Sequence, residues 1–202
     1  MGVKGALWVN DTMAIQTPPL EVEGYAFAEV VDTAPVVDLA RFTGLGLAGT
    51  SERLERGVRA YAAWARPAGE MAAVLWVSAV REWSEPSRGY FEFADDECYG
   101  WEAQVAPEHQ GHRLFTRLLL MAGHRAAQAG YRWIWGAIED SNLASRYSNM
   151  AAGYQPILHL LADTSLSPTR LEAWPVDYAD RRLVERAYRV AGAGVTAVAA
   201  AV

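Results

Sequence analysis

The sequence is poor in cysteine, in long apolar runs and in positive charge. Its 202 residues include one cysteine, Cys98, so the chain can form no internal disulfide, as is usual in a reducing compartment such as the cytoplasm. The apolar tail at 190–202 is too short to span a bilayer, and the first residues lack a cleavable signal pattern. With a net charge of −6, no basic face of the kind that binds nucleic acid is evident. These absences predict a cytoplasmic protein with neither a membrane nor a nucleic acid as its partner.

Motifs for metal centres and nucleotide phosphates are also missing. There is no GxxxxGK[ST] sequence, so a P-loop is unsupported, and no GxGxxG after a predicted strand, so a dinucleotide fold is unsupported. His109 and His112 have only Glu108 beside them, whereas a metal site needs a further ligand on a rigid scaffold. No Ser-His-Asp or Cys-His set has the surroundings of a known hydrolase. We therefore expect no metal in the functional site.

What is present is a globular composition, 51% apolar and 21% charged, with strand and helix patterns along the whole chain. A turn at 66–69 joins two apolar runs into an antiparallel hairpin, and a strand–helix–strand unit over 98–138 implies a parallel pair. The sequence thus predicts an α/β fold with a mixed sheet flanked by helices. Strands are expected at 24–31, 58–65, 71–80, 90–93, 98–105, 133–138, 155–162 and 169–174. Helices are expected from 33 toward 44 or 46, from 50, at 114–129, at 142–153 and from 177.

One domain is expected to contain most of the chain. Residues 1–23, which include the Thr-Pro-Pro sequence at 17–19, are interpreted as an arm that leads into a domain over 24–176. Residues 177–202 are expected to form a carboxyl-terminal helix that packs on the domain or extends from it, and the alanine-rich tail is interpreted as the end of that helix.

The segment 105–115 contains the most informative pattern, because a strand ends, a short loop turns and a helix begins. Backbone N–H groups at a helix start lack internal partners, and with the helix dipole they form an anion site. Gly111 lets the backbone approach a ligand closely, and Arg113 and His112 add positive charge. These features fit a phosphate-bearing cofactor, and they also fit an ordinary strand-to-helix turn.

The same segment resembles the pyrophosphate loop of the GNAT acyltransferases, in which Val, Pro-Glu and then Gln or Arg precede xxGxG or xxGxA at a helix start. The matching residues are Val105, Pro107, Glu108, Gln110 and Gly111. The second half of the family signature follows, since Asn142 opens a helix that closes with Gly153 and Tyr154, where the family has Gly-Phe. Both halves occur in order with a strand between them, so the resemblance extends over 105–154.

The resemblance implies a mixed, mostly antiparallel sheet whose central parallel pair splays apart. It also implies transfer of an acyl group from acetyl-CoA or another acyl-CoA to an amine by direct attack. Backbone groups near Val105 should hold the pantetheine arm, and Asn142 should reach it. The loop groups that should bind the pyrophosphate belong to Gln110, Gly111, His112, Arg113, Leu114 and Phe115. Because Arg113 and Phe115 replace loop glycines, a donor bound to an acyl carrier protein is an alternative to free coenzyme A.

The reaction needs a base, and Glu102 is the candidate that this strand supplies. Side chains alternate along a strand, which places Trp101, Ala103 and Val105 on one face and Glu102 on the other. Which face meets the acceptor stays open at this stage. The acidic residues at 95–97, just before the strand, are the alternatives.

Asn149 occupies the position at which the family often has a tyrosine that protonates the leaving thiolate. Tyr147 lies two residues earlier, about 200° around a helix, and is therefore not expected to substitute. Ser145 lies one turn before Asn149 on nearly the same face, so Ser145 is the candidate to contact the pantetheine or the thiol. We expect Tyr147→Phe to leave turnover largely intact.

The acceptor is expected to be a small-molecule amine or an amino terminus, which the acidic composition favours. Four tryptophans near the early strands either line an aromatic pocket or pack in the core; they are Trp64, Trp76, Trp83 and Trp101. A homodimer and an acyl carrier protein are the macromolecular partners left open. The functional alternatives are a non-catalytic module that binds acyl-CoA or an acyl-carrier pantetheine, and an unrelated α/β protein.

Overall fold

The computed structural model describes residues 2–15, 21–22, 24–31, 33–84, 87, 89–163, 165, 170–192 and 195–198. Its strands are β1 (Gly2–Asp11), β2 (Glu21–Val22), β3 (Tyr25–Glu29), β4 (Arg59–Ala65), β5 (Met71–Ser78), β6 (Glu82–Ser84), β7 (Gly89–Phe91), β8 (Glu97–Val105), β9 (Trp133–Glu139), β10 (Gln155–Asp163), β11 (Arg170–Pro175) and β12 (Val195–Ala197). Its α-helices are α1 (Thr33–Thr43), α2 (Gly46–Glu55), α3 (Leu114–Gln128), α4 (Leu143–Ala151) and α5 (Arg181–Ala191).

In this part of the chain, ten strands form one sheet in the order β12-β11-β10-β1-β9-β8-β5-β4-β3-β2, and β6 and β7 form a separate hairpin. Strands β8 and β9 pair in parallel, as do β11 and β12, and the other pairs of the sheet are antiparallel. The prediction of an α/β fold with a mixed, mostly antiparallel sheet and a central parallel pair is therefore confirmed.

Strand β1 is the main correction to the sequence analysis. The segment 1–23 was expected to be an arm, but Gly2–Asp11 lies inside the sheet, antiparallel to both β9 and β10. Residues 5–10 are all buried, because neighbouring strands and packing on both faces enclose them. A strand buried on both faces has a continuous apolar run instead of an alternating one, so the strand pattern was missed. The domain therefore begins before residue 24.

Two helix boundaries also differ from the predictions. Helix α2 begins at Gly46 and not near residue 50; Leu45 at its N-cap makes no side-chain cap bond, so no capping signal marks this start. Helix α5 begins after Asp180, whose side chain accepts from Arg182 N at 2.8 Å. The helix stops before Gly192, and β12 then pairs with β11, so the expectation that the tail continues the helix is wrong. Residues 199–202 lie outside the described residues.

Helices cover both faces of the sheet and leave a gap at its centre. On one face α3 packs on β5, β8 and β4, and its Leu118 belongs to the same buried cluster as Leu75 and Ile134. On the other face α1 and α2 cover the β4–β5 end, and α5 covers the β10–β11 end. Trp101 of β8 packs against the clusters of both ends. Strand β8 therefore lies beneath the space between α2 and α5.

Candidate functional site

Strands β8 and β9 separate partway along their length. They pair at Glu97–Trp133, Cys98–Ile134 and Tyr99–Trp135, and the described ladder ends there although both strands continue. On its other side β8 has a bulge, because Trp101 is opposite Trp76 and Gln104 is opposite Val74. Glu102 and Ala103 of β8 therefore face the single β5 residue Leu75. Bulges bend a strand and increase its twist, which turns β8 away from β9.

The bulge contains Glu102, a non-glycine residue with a φ of 42°. An extra residue at a bulge reverses the alternation of faces beyond it. Accordingly Val105 packs in the cluster under α3, together with Cys98, whereas Trp101 packs on the opposite face. The prediction that Trp101 and Val105 share a face is therefore wrong, because simple alternation takes no account of the bulge.

A cavity of about 1150 Å³ passes through the opening between β8 and β9. One part of it, the α3 side, is defined by Val105, Leu114, Phe115, Asn142 and Ser145. The other part, the α2 side, is defined by Arg53, Arg56, Glu82, Trp83, Trp101 and Glu102. Since Val105 and Leu114 belong to the cluster under α3 and Trp101 to the clusters of the opposite face, the cavity connects the two faces of the sheet.

Most residues named from the sequence line this cavity. They are Glu102, Val105, Gln110, Gly111, Arg113, Leu114, Phe115, Asn142 and Ser145. His112 does not line it. Its ring lies 5.4 Å from that of Tyr25, in a second cavity of about 540 Å³. His112 is therefore separated from the residues it was grouped with.

The loop before α3 turns through two left-handed residues. Pro107–His109 form a single 3-10 turn, Gly111 has a φ of 84° and Arg113 a φ of 57°. Left-handed backbone costs a non-glycine residue about 1–2 kcal/mol, so a glycine would relieve strain at Arg113. The first helical bond here runs from Arg117 N to Arg113 O at 3.1 Å. The N–H groups of the residues that precede Arg117 lack intrahelical partners and lie at the cavity wall.

Helix α4 presents one face to the cavity, and the residues of that face are Asn142, Ala144, Ser145, Ser148 and Asn149. Asn142 caps the helix by accepting from Ser145 N at 3.0 Å. Asn149 donates to Ser145 O at 2.9 Å. Tyr147 is 68% exposed and is not a cavity residue, as the helical phasing predicts.

The α2 side contains two arginine–glutamate pairs. In the first, Arg53 donates to both oxygens of Glu102, at 2.6 and 3.2 Å. The same guanidinium lies 4.4 Å from the ring centre of Trp101 and 5.1 Å from that of Trp76. Arg53 is thus held by a carboxylate and by two aromatic rings, which gives this wall of the cavity a defined shape.

The second pair includes Glu82, which the sequence analysis did not single out. Its side chain is 5% exposed, and Arg56 donates to it at 2.6 Å. Burial raises the pKa of Glu82, and the neighbouring Arg56 and Ser78 oppose that effect. A hairpin of two three-residue strands offers no motif, so no sequence signal marked this residue.

The acidic residues at 95–97 lie away from the cavity. Arg186 of α5 donates to Asp96 and Glu97 at 2.9 Å each, and Arg189 donates to Glu97 at 2.6 Å. Asp95, Asp96 and Glu97 do not line the cavity, because they lie at the start of β8, where this strand is still paired with β9. These alternatives for the base are therefore remote from the opening.

Four cavity residues have buried polar atoms that lack a hydrogen-bond partner in the described part of the chain. The atoms are Trp101 Nε1, His109 Nε2, Trp135 Nε1 and Tyr154 Oη, and His109 Nε2 lies 3.4 Å from Glu70 Oε1. Burial raises the pKa of Tyr154, so its hydroxyl keeps its proton as a donor. Buried polar groups normally have partners, so these atoms are exceptions in the wall of the cavity.

Neither a metal centre nor a membrane-spanning helix is found among the described residues. Among those residues, no group of three His, Cys, Asp or Glu side chains is arranged to hold a metal ion. None of their helices has the length and apolar character that crossing a membrane requires.

Comparison with known proteins gives matches among solved structures. No family model matches the sequence, and no curated protein matches it. A tandem GNAT protein from the clavulanic acid biosynthesis pathway is 21% identical with a TM-score of 0.50, over 77% of this chain and 50% of its own. A GCN5-related N-acetyltransferase from Kribbella flavida is 15% identical with a TM-score of 0.56, over 83% and 61%. A GNAT-family acetyltransferase from Colwellia psychrerythraea is 14% identical with a TM-score of 0.56, over 80% and 55%.

This chain thus spans between half and about three fifths of the length of these structures. At such identities the likeness concerns the fold. An α/β arrangement with a mixed sheet and flanking helices is what the chain shares with these proteins.

Proposed function

We propose that this chain, which has the fold of the GNAT acetyltransferases, transfers an acetyl or other acyl group from a coenzyme A thioester to an amine. The observation that supports this most directly is the cavity through the splayed strands. Its α3 side presents backbone N–H groups at a helix start, and its α2 side presents carboxylates. A donor that enters from one face and an acceptor that enters from the other would meet in the opening.

The α3 side is suited to coenzyme A. Beyond Tyr99, the β9-facing edge of β8 is free of ladder bonds in the described structure, so its peptide groups can pair with the amides of pantetheine. The N–H groups of the loop and first turn, from Gln110 to Phe115, can bind the pyrophosphate, with the Arg113 guanidinium as an added cation. His112 can contribute only its backbone N–H to this set, because its side chain lies in the second cavity.

Direct attack requires little of the protein beyond position and one proton transfer. The neutral amine forms a bond to the thioester carbon, the carbon–sulfur bond breaks, and the electron pair leaves on the thiolate. A carboxylate in the wall takes one proton from the ammonium group of the acceptor before attack, and the departing thiolate takes the second nitrogen proton. Glu82 and Glu102 are the cavity carboxylates able to act as that base. Ser145, which faces the cavity, is proposed to contact the thioester sulfur or the pantetheine.

Turnover and binding together test this proposal. Acetyl-CoA binding is measured by titration calorimetry, and release of free thiol is followed with a panel of amines that includes 2-phenylethylamine and hydroxylamine. We expect micromolar to millimolar binding and amine-dependent thiol release. Binding without thiol release would identify a non-catalytic acyl-CoA module. Absence of acetyl-CoA binding, with thiol release from an acyl-loaded carrier protein, would identify a carrier-dependent acyltransferase.

A further inference from the structure

The two carboxylates on the α2 side are held in different ways. Glu102 is 44% exposed and receives both nitrogens of one guanidinium. Glu82 is 5% exposed, and Arg56 contacts its Oε1 through a single nitrogen. A bidentate guanidinium stabilises the ionised carboxylate and occupies both of its oxygens. Glu82 receives one guanidinium nitrogen, with the Ser78 hydroxyl as its other donor, and is the more buried of the two carboxylates.

The surroundings of Glu82 favour proton uptake. Burial raises its pKa, and the charge of Glu102 acts in the same direction. The opposing groups are Arg56 and Arg53 of α2 and the Ser78 hydroxyl of β5. A general base works best when its pKa approaches the working pH, so burial moves Glu82 toward the range in which it can accept a proton.

Tyr99, a described neighbour of Glu82 in the cavity wall, does not compete as a base. Burial raises the pKa of Tyr99 to about 12, so this phenol stays protonated at neutral pH. Trp83 and Trp101 add apolar wall on the same side of the cavity. A buried carboxylate among aromatic rings attracts an organic ammonium group, because the carboxylate lacks solvent and the rings favour cations.

We propose that Glu82 binds the ammonium group of the acceptor and takes its proton, and that Glu102 is a positioning residue that holds Arg53. The proposal rests on the acyl transfer proposed above. The proton passes from the ammonium nitrogen to a Glu82 carboxylate oxygen. The freed electron pair forms the carbon–nitrogen bond and the carbon–sulfur bond breaks. The second proton of the bonded nitrogen passes to the leaving thiolate, which departs as the thiol. Glu82 then releases its proton to solvent.

The test compares two nucleophiles with acetyl-CoA as donor. 2-Phenylethylamine is an ammonium ion at neutral pH, whereas hydroxylamine is largely uncharged and has no ammonium proton to lose. For Glu82→Gln we expect kcat/KM with 2-phenylethylamine to fall about 100-fold or more, the size of a lost general base. The rate with hydroxylamine and the affinity for acetyl-CoA should stay within about threefold of wild type, since neither requires the base. The acid limb of the 2-phenylethylamine pH profile should disappear.

Two further variants separate a chemical role from a structural one. Glu82→Asp keeps a carboxylate and should restore part of the 2-phenylethylamine rate. Glu102→Gln makes the same amide replacement in the neighbouring pair and should change the rates with both nucleophiles in parallel, because it acts through Arg53.

Several outcomes would overturn the assignment. One is an equal loss with both nucleophiles in Glu82→Gln, and another is a selective loss of the 2-phenylethylamine rate in Glu102→Gln. A wild-type protein that transfers to hydroxylamine but not to 2-phenylethylamine would overturn the assignment while acyl transfer stands. A wild type that transfers to neither would overturn the proposed function and this assignment with it.

Discussion

The two sides of the cavity are built by different means. The α3 side consists largely of backbone groups from one continuous stretch, in which β8, the loop, α3, β9 and α4 follow each other along the chain. The α2 side consists of charged side chains from α2, the β6–β7 hairpin and β8, which are far apart in sequence. The first kind of site depends on local backbone geometry and tolerates changes of side chain. The second kind depends on the identity and position of a few side chains. Changes on one side should therefore leave the function of the other side intact.

The largest effect is expected when the opening between β8 and β9 is filled. A Cβ on Gly136 would lie 3.9 Å from both Asn149 Oδ1 and Gly100 O, so the side chain of Gly136→Leu would extend into the gap. We expect acetyl-CoA affinity to fall about 100-fold, or about 2.8 kcal/mol, as measured by calorimetry.

Gly136→Ala is the matched control, because its Cβ makes ordinary contacts. It should bind acetyl-CoA within about threefold of wild type, a difference well below 1 kcal/mol. If the folded leucine variant bound the donor as wild type does, the opening would not be the donor path.

A smaller effect is expected at Arg53, which supports the α2 side, and it should concern the amine and not acetyl-CoA. Arg53→Ala removes the bidentate contact to Glu102 and the stacking on Trp101. We expect the KM for the amine to rise about tenfold, with about 1–2 kcal/mol of stability lost. The affinity for acetyl-CoA should not change. Arg53→Lys keeps the charge without the planar fork, so its KM for the amine should lie between those of wild type and Arg53→Ala. A defect in acetyl-CoA binding in either variant would contradict the separation of the two sides.

The pH dependence of stability distinguishes the two carboxylates. Because burial raises the pKa of Glu82 above its ordinary 4.5, the folded state binds this proton more readily than the unfolded state. Wild-type stability should therefore fall as pH rises through the interval between the two pKa values. Glu82→Gln should have a higher Tm than wild type at neutral pH and lose that advantage below pH 4.5.

Glu102→Gln is the comparison for this experiment. It weakens the bidentate contact of a half-exposed carboxylate, so it should lower the neutral-pH Tm slightly. Equal thermal behaviour of the two variants across the pH range would show that burial does not set Glu82 apart.

The smallest effect is expected on the exposed face of α4. Tyr147 is outside the cavity and mostly exposed, so Tyr147→Phe should keep kcat within about twofold of wild type, as surface changes usually do. Ser145→Ala alters the cavity face of the same helix and should raise the KM for acetyl-CoA by several fold. A large loss in the tyrosine variant alone would require this tyrosine to reach the thioester from a different helix orientation.

Much of the α3 side could be predicted from the sequence, because local rules are sufficient there. The Gly111 loop, the helix after it and the Asn142 cap depend on neighbours within a few residues, and the structure has each of them at the expected position. His112 is the exception. Its side chain points to Tyr25 of β3, a contact between residues far apart in the chain.

Local patterns were insufficient wherever the environment comes from distant segments. Strand β1 was missed because its pairing partners β9 and β10 lie more than a hundred residues later and both of its faces are packed in buried clusters. The bulge at Glu102 was missed because alternation assumes a regular ladder, and the bulge exists only in the register with β5. Glu82 could be recognised only from the structure, in which Arg56 at the end of α2 contacts its buried side chain.

The sequence by itself therefore determined most of the elements between β3 and α5, the loop before α3 and the cap of α4, since turn, cap and periodicity rules act over short distances. Tertiary structure alone decided that the amino-terminal strand completes the sheet, that β8 turns away from β9, and which carboxylate is buried. These features depend on burial and register, which are properties of segments brought together from distant parts of the chain.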